Sequence, residues 1–331
     1  RRAWFVSLAE RRHMSLNNTN PFVSHFDCVV MLTFSDWKTE PRSNRYHYAT
    51  RFSAHLPVVF VQPDLNKPET KFEKTETERV EILHVHSRYG NNQSTLLNRA
   101  LLSRGFIKPL LWIYNPYFLD FVIHRYSPLK VYHATEDYFS PDHRLEDTFH
   151  NLLRQVLGQT DLLVAVSDLV LESYIHNGNY GNRAIVFRNG CDFRFWSPDN
   201  SEIQEIISHK AKGKVVLFQG GVNRRLDFDL LHQISKSLPD WEVWICGKLE
   251  PSCATHIRSF RNSNVKYLGY LDSDQVRALS YKATVGIIPF VQNHMIRVSL
   301  PLKAFEYVAC GLPVVSVPIE ALESYDGLFE F

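Results

Sequence analysis

"NHMIRVSLPLKAFEYVACGLPVVS", residues 293–316, decides the fold, because it reads as a helix with both ends marked that feeds directly into an apolar strand. Ser299 stands where a cap is wanted, Pro301 falls in a first turn where no intrahelical N–H is missed, and Gly311 followed by Pro313 ends the helix, so the spacing predicts a helix over 300–310. On a 3.6-residue period Leu302, Phe305 and Ala309 share an apolar stripe, with Ser299, Lys303 and Glu306 on a polar stripe beside it. A helix start carries unpaired N–H groups and partial positive charge, so Ser299 with Lys303 predicts a seat for a phosphate anion. Glu306, one turn deeper, is placed to accept hydrogen bonds from vicinal hydroxyls such as those of a ribose. Taken alone, a solvated Lys–Glu pair three residues apart fits this stretch equally well.

Outward from this helix, short β-branched or aromatic runs alternate with helical patterns, the mark of βαβ units and parallel sheets. Strands are predicted at 27–34, 57–63, 80–86, 109–114, 130–135, 161–167 and 184–189, with helices clearest at 44–55, 143–157 and 168–176. The turn-rich "RNGCDFRFWSPDNSE" (188–202) breaks the rhythm. A fresh series then follows at 213–221, 241–247, 264–270, 283–290 and 312–318. The expected fold class is α/β, two Rossmann-like doubly wound domains facing across a cleft: residues 26–195, then 196–331. Residues 1–25, which begin without Met, are expected to be a leader or linker from an upstream region, and the second domain is expected either to be truncated at its end or to end differently from similar proteins.

A chain of 331 residues exceeds one typical core. A formal net charge of +2 with 22% charged residues lacks the dense basic face of a nucleic-acid binder. A sequence pI near 8.2 leaves room for anionic small molecules or loose contact with an acidic membrane surface. Cys28, Cys191, Cys246, Cys253 and Cys310 form no CxxC pair, so neither a disulfide framework nor a zinc site is expected, and a reducing cytoplasm is the expected compartment. "PLLWIYNPYFLDFVI" (109–123) is too short and too interrupted to span a bilayer.

The ordered series "VSD" (166–168), "FRNGCDFRFWSP" (187–198), "FQGGVNRRLDFDLL" (218–231), "NVKYLGYLDSDQV" (264–276), "GIIPF" (286–290) and "SLPLKAFEYVACGLPVVS" (299–316) resembles the nucleotide-sugar-dependent glycosyltransferases of the GT-B fold, in particular the bacterial branch similar to teichuronic acid glycosyltransferases. The resemblance covers residues 26–331 and is strongest from 161 onward. It implies a UDP- or GDP-sugar donor, a glycan or lipid-linked glycan acceptor, no cofactor and no metal, and a cytoplasmic enzyme with peripheral contact at the inner face of the plasma membrane left open. On the donor side it implies that Gly220 and Gly221 let backbone amides approach a pyrophosphate, that Arg224 or Arg225 meets the charge developing on the leaving diphosphate, that Tyr270 sits at the base, and that Lys303, Ser299, Leu302 and Glu306 clamp phosphates and ribose. Many relatives carry a second glutamate eight residues before this one; here that position is Val298, and Asn293 with Ser299 is the expected substitute.

On the acceptor side "YHATEDY" (132–138) ends a strand, and the corresponding place in the similar enzymes faces the cleft, so the resemblance implies Asp137 as the first choice for a general base and His133 as the second, with Glu136 read as a loop cap. Arg45 and His47 are expected to face the cleft from the start of a helix, and Asn115 ends another strand. His84 and His86 share a strand face, but no carboxylate partner is foreseen, so a metal there is not expected. Two rival readings stay open: a UDP-sugar 2-epimerase of the same fold, and a non-catalytic sugar-nucleotide-binding module of a larger synthase.

Overall fold

The computed structural model describes residues 24–39, 43–64, 69–86, 91–143, 145–199, 201–203, 214–261, 263–325 and 327–331. The leader expected over 1–25 lies outside them but for its last two residues. The first sheet is built from β1 (Cys28–Leu32), β2 (Val58–Pro63), β3 (Lys71–Lys74), β4 (Val80–Val85), β5 (Pro109–Ile113), β6 (Leu129–Ala134), β7 (Leu162–Ala165) and β8 (Arg183–Val186). Its order is β3-β4-β2-β1-β5-β6-β7-β8, all parallel except β3 against β4. The second sheet holds β9 (Val215–Gln219), β10 (Glu242–Cys246), β11 (Val265–Tyr267), β12 (Val285–Ile288) and β13 (Val314–Ser316) in the parallel order β11-β10-β9-β12-β13.

Parallel strands covered on both faces read as continuous apolar runs, and "CVVML" of β1 is buried at all five positions. Its alternate residues feed two separate clusters: Val30 and Leu32 pack towards Phe118 and Tyr132, while Val29 and Met31 pack towards Trp37, Phe60 and Trp112. The second sheet has its own core, into which Trp196 of the connecting segment packs.

All of the expected strands form, and one was missed. Edge strand β3, "KFEK", alternates charge with a single aromatic and carries no apolar period, so its pairing comes from β4 and not from its own burial. That strand also overturns one expectation: buried His84 does have carboxylate partners, Glu73 Oε2 of β3 at 2.9 Å and Asp64 Oδ2 at 3.8 Å. The decisive helix starts later than the spacing predicts, at Leu302, and runs Leu302–Ala309 with no side-chain cap. Ser299 is not its cap, because the Ser299 hydroxyl donates back to the Ile296 carbonyl at 2.8 Å and closes a separate turn, His294–Arg297. Gly311, at φ +64°, ends the helix as expected, with the Leu312 N–H bonded to the Tyr307 carbonyl. Among the described residues no helix is long and apolar enough to cross a membrane.

Candidate active site between the two sheets

In both sheets the strand order reverses beside the first strand of the series, β1 against β5 and β9 against β12, and the crevice at such a switch point opens at the carboxyl ends of the strands. A cavity of about 560 Å³ lies there between the sheets. The first sheet contributes Asn44, Arg45, Glu136 and Asp137; the second contributes Gln219, Gly220, Gly221, Arg225, Ser299, Leu302, Lys303 and Glu306. A second cavity of about 300 Å³ shares Gln219, Gly220, Gly221 and Glu306 and continues along the second sheet past Gly247 and Lys248 to Tyr270.

The helix from Leu302, labelled α11 in chain order, is fixed against β9 by Tyr307. This fully buried side chain accepts a hydrogen bond from the Gln219 N–H at 2.8 Å and donates one to the Leu217 carbonyl at 3.2 Å. Gly286 makes room for that ring, since a Cβ there would sit 2.7 Å from Tyr307 Cδ2. Pro301, Leu302 and Lys303 consequently turn the helix start towards the larger cavity. Glu306 is 7% exposed and accepts a hydrogen bond from Gln219 Nε2.

Two glycines are demanded by geometry. Gly247 has φ +143°, and a Cβ on it would fall 1.8 Å from the Gly220 carbonyl oxygen. Gly220 has φ +127°, and its Cβ would come within 2.7 Å of Lys303 Nζ. The β9 and β10 ends therefore run on side by side in close backbone contact, tied by the Gly220 N–H to Cys246 carbonyl bond of 2.9 Å. Beside Gly220, Lys303 Nζ lies 4.4 Å from the centroid of Phe218 and 4.5 Å from that of Phe290. Enclosure away from water lowers its pKa to about 7, against the opposing pull of the Glu306 carboxylate. A poorly hydrated cation at a helix start is a strong site for a dianion arriving from solvent.

Across the cavity Asp137 is 2% exposed and held by the Ser173 hydroxyl at 2.6 Å and the Phe139 N–H at 3.1 Å. Its other oxygen reaches His294 Nε2 of the second sheet's domain at 3.3 Å. Glu136 does more than cap a loop: both its oxygens accept from Arg225 Nη2 at 2.8 Å, which joins the two domains. Val298, the residue in place of the second glutamate, is buried in the first domain's core, and its carbonyl accepts from Ser167 at 3.2 Å.

Several expected site residues stand elsewhere. His133 is 1% exposed, accepts from Trp112 Nε1 at 3.1 Å and lies 3.2 Å from the Tyr114 hydroxyl. Burial and the nearby Arg45 charge lower its pKa to about 3, and it lines neither cavity, which leaves it in no position to take a proton from a bound molecule. Arg224 is exposed and outside both cavities, whereas Arg225 lines one. Asn293 caps the turn before Ser299 by accepting from the Ile296 N–H at 2.9 Å, and Asn115 caps the turn at 116–118. Arg45 stacks over Tyr114 and faces the cleft, but His47 faces a neighbouring groove. Sequence reasoning missed Gln219, Gly247, Lys248, His294, Asn44 and Asn189. Only "ICGK", a strand that stops on a glycine, carried a readable signal. Among the described residues no group of three His, Cys, Asp or Glu is arranged to hold a metal ion.

With this geometry in hand, residues 213–328 match the family described as glycosyl transferases group 1. A Bacillus subtilis (strain 168) protein named "Putative teichuronic acid biosynthesis glycosyltransferase TuaH" is 24% identical over 163 residues, 49% of this chain and 41% of its own length. The chain thus spans about two fifths of that curated relative. Among solved structures, sucrose-phosphate synthase from Thermosynechococcus elongatus superimposes with a TM-score of 0.71 at 12% identity, covering 90% of this chain and 82% of that one. The E. coli trehalose-6-phosphate structure bound with UDP-2-fluoro glucose gives 0.65 at 11%, covering 91% and 87%. Anabaena HepE in complex with UDP and glucose gives 0.60 at 15%, covering 90% and 83%. The second domain is thus similar to group 1 glycosyl transferases, and the whole has the GT-B fold.

Proposed function

We propose that a protein with a domain similar to group 1 glycosyl transferases and this cleft moves a sugar from a UDP- or GDP-sugar to a hydroxyl of a glycan or glycoconjugate acceptor in polysaccharide biosynthesis. The observation that carries the reading is the convergence on one cavity of the α11 start, the enclosed Lys303 ammonium and the glycines Gly220 and Gly221, with Gly247 lining the smaller cavity beside it. Glu306 holds the ribose, the smaller cavity out to Tyr270 takes the base, and the sugar projects into the larger cavity towards Asp137.

In the reaction an acceptor oxygen bonds to the anomeric carbon as the bond to the diphosphate breaks. Asp137 takes the acceptor proton, and Lys303, Arg225 and the helix start meet the charge that develops on the departing diphosphate. For Arg225 to do so, Glu136 must give up part of its hold on the guanidinium when the donor arrives. We propose that these groups act without a divalent cation, so chelation should leave turnover unchanged. Similarity to named transferases, and a cleft lined from both domains, supports transfer over epimerisation or a purely binding role.

The test incubates the protein with individual UDP- and GDP-hexoses, with and without glycan acceptors, and follows the donor by NMR. Release of nucleoside diphosphate that depends on acceptor is expected. Interconversion of donor sugars without acceptor would refute transfer in favour of epimerisation. An Asp137→Asn variant should bind donor normally and lose at least about a hundredfold in turnover.

A further inference from the structure

Helix α1, spanning Asn44–Phe52, presents Asn44, His47, Tyr48, Arg51 and Phe52 to a groove of about 460 Å³. These positions fall at i, i+3, i+4, i+7 and i+8, the stripe a helix normally buries in its core. Here the stripe is met by Trp112 at the groove floor and, from the far side, by Phe187, Asn189 and Leu302. Asn44, Asn189 and Leu302 also line the donor cleft, so the groove is continuous with it. Tyr48 and Phe52 pack on Trp112 with ring centroids 5.1 and 5.0 Å apart, and Phe187 stays 54% exposed.

Among the described residues that line the groove there is no carboxylate, while the guanidinium groups of Arg51 and Arg188 are present. Arg188 is engaged by Asp168 at 2.6 Å, whereas Arg51 is hydrogen bonded to the ring and carbonyl of His47, both at 3.2 Å, and has no carboxylate partner among the described residues. A bare sugar ring asks for several amides and carboxylates; this wall offers two Asn side chains and is otherwise aromatic, aliphatic or cationic.

Resting on the transferase reading, we infer that this groove is the acceptor subsite for an apolar aglycone joined to an anionic group, with the reacting hydroxyl delivered into the cleft past Asn44 and Asn189. The aromatic stripe buries the hydrocarbon and Arg51 receives the anion.

Titration calorimetry with octyl phosphate, butyl phosphate, octyl glucoside and inorganic phosphate tests this, each in UDP-saturated protein so that the donor's phosphate seat is filled. Octyl phosphate is expected to bind at least about tenfold more tightly than octyl glucoside, and affinity should rise about threefold for each methylene between butyl and octyl. Arg51→Glu should abolish the preference over octyl glucoside, and Phe187→Asp should weaken both octyl compounds. The chain-length series needs no variant and decides the matter even if one fails to fold. Equal binding of inorganic and octyl phosphate, or octyl glucoside binding as tightly as octyl phosphate, would overturn the inference. If neither UDP nor GDP shifts the melting temperature while octyl phosphate still binds, the donor reading fails and the amphiphile groove stands.

Discussion

Replacing Lys303 by Met should make the protein more stable and worse at binding nucleotide. The substitution removes the ammonium that lies over the Phe218 and Phe290 rings and leaves an apolar side chain of similar length in its place. A fall in pKa from 10.5 to about 7 corresponds to a bias of about 5 kcal/mol towards the neutral form, an upper bound on the cost of holding the charge there. The side chain retains some contact with solvent, and water relaxation reduces the cost, so removal of the charge should stabilise the fold by about 1–3 kcal/mol. Melting should rise by about 2–6 °C in nucleotide-free protein. Because the folded pKa lies below the unfolded one, wild type gains stability as pH climbs from 7 towards 10.5, so the advantage of the variant should shrink across that window. Calorimetry with UDP or GDP, whichever binds, should meanwhile show a loss of about a hundredfold, the effect of deleting an enclosed charge partner of a diphosphate. A variant that is less stable than wild type and binds nucleotide equally well would refute the reasoning on both counts.

The Lys303 ammonium also sets a pH dependence. A diphosphate favours the charged form, so wild-type affinity should hold below pH 7 and fall by about tenfold per pH unit from 7 to 9, while Lys303→Met shows a flat profile by calorimetry over the same range. Gly247→Ala meets the Gly220 carbonyl at 1.8 Å from a backbone at φ +143°, and should cost about 3–5 kcal/mol in urea denaturation or prevent folding of the second domain. Glu136→Gln weakens the competitor for Arg225, and nucleotide should bind about two- to fivefold more tightly by calorimetry; unchanged or weaker binding would show that Glu136 does not restrain the guanidinium.

The sequence discloses what depends on period and turn chemistry. The two series of strands, the break near residue 190 and the end of the decisive helix at Gly311 are all readable, because burial on both faces and a left-handed glycine leave local marks. The start of that helix is misread because Ser299 serves the preceding turn, a competition between two caps that spacing alone cannot resolve. His133 lies inside β6 and turns into the aromatic cluster with Trp112 and Tyr114, whereas Asp137 lies past the end of that strand and borders the cleft; the position of the strand's end separates them, and local pattern does not mark it. His84 escaped its carboxylates because both lie on segments distant in sequence. Gln219 and Asn189 were invisible for the same reason, since their neighbours, Glu306 and the Leu300 carbonyl, are brought to them only by closure of the second sheet and of the domains.

The most direct test of the donor site couples one side chain to one part of the ligand. Calorimetry compares UDP or GDP, whichever the protein binds, with its 2′,3′-dideoxy form in wild type and in Glu306→Ala. Wild type should lose about thirtyfold or more on removal of the ribose hydroxyls, while the variant should bind both forms equally weakly. A variant that still distinguishes the two forms as strongly as wild type would place the ribose away from Glu306 and contradict the account.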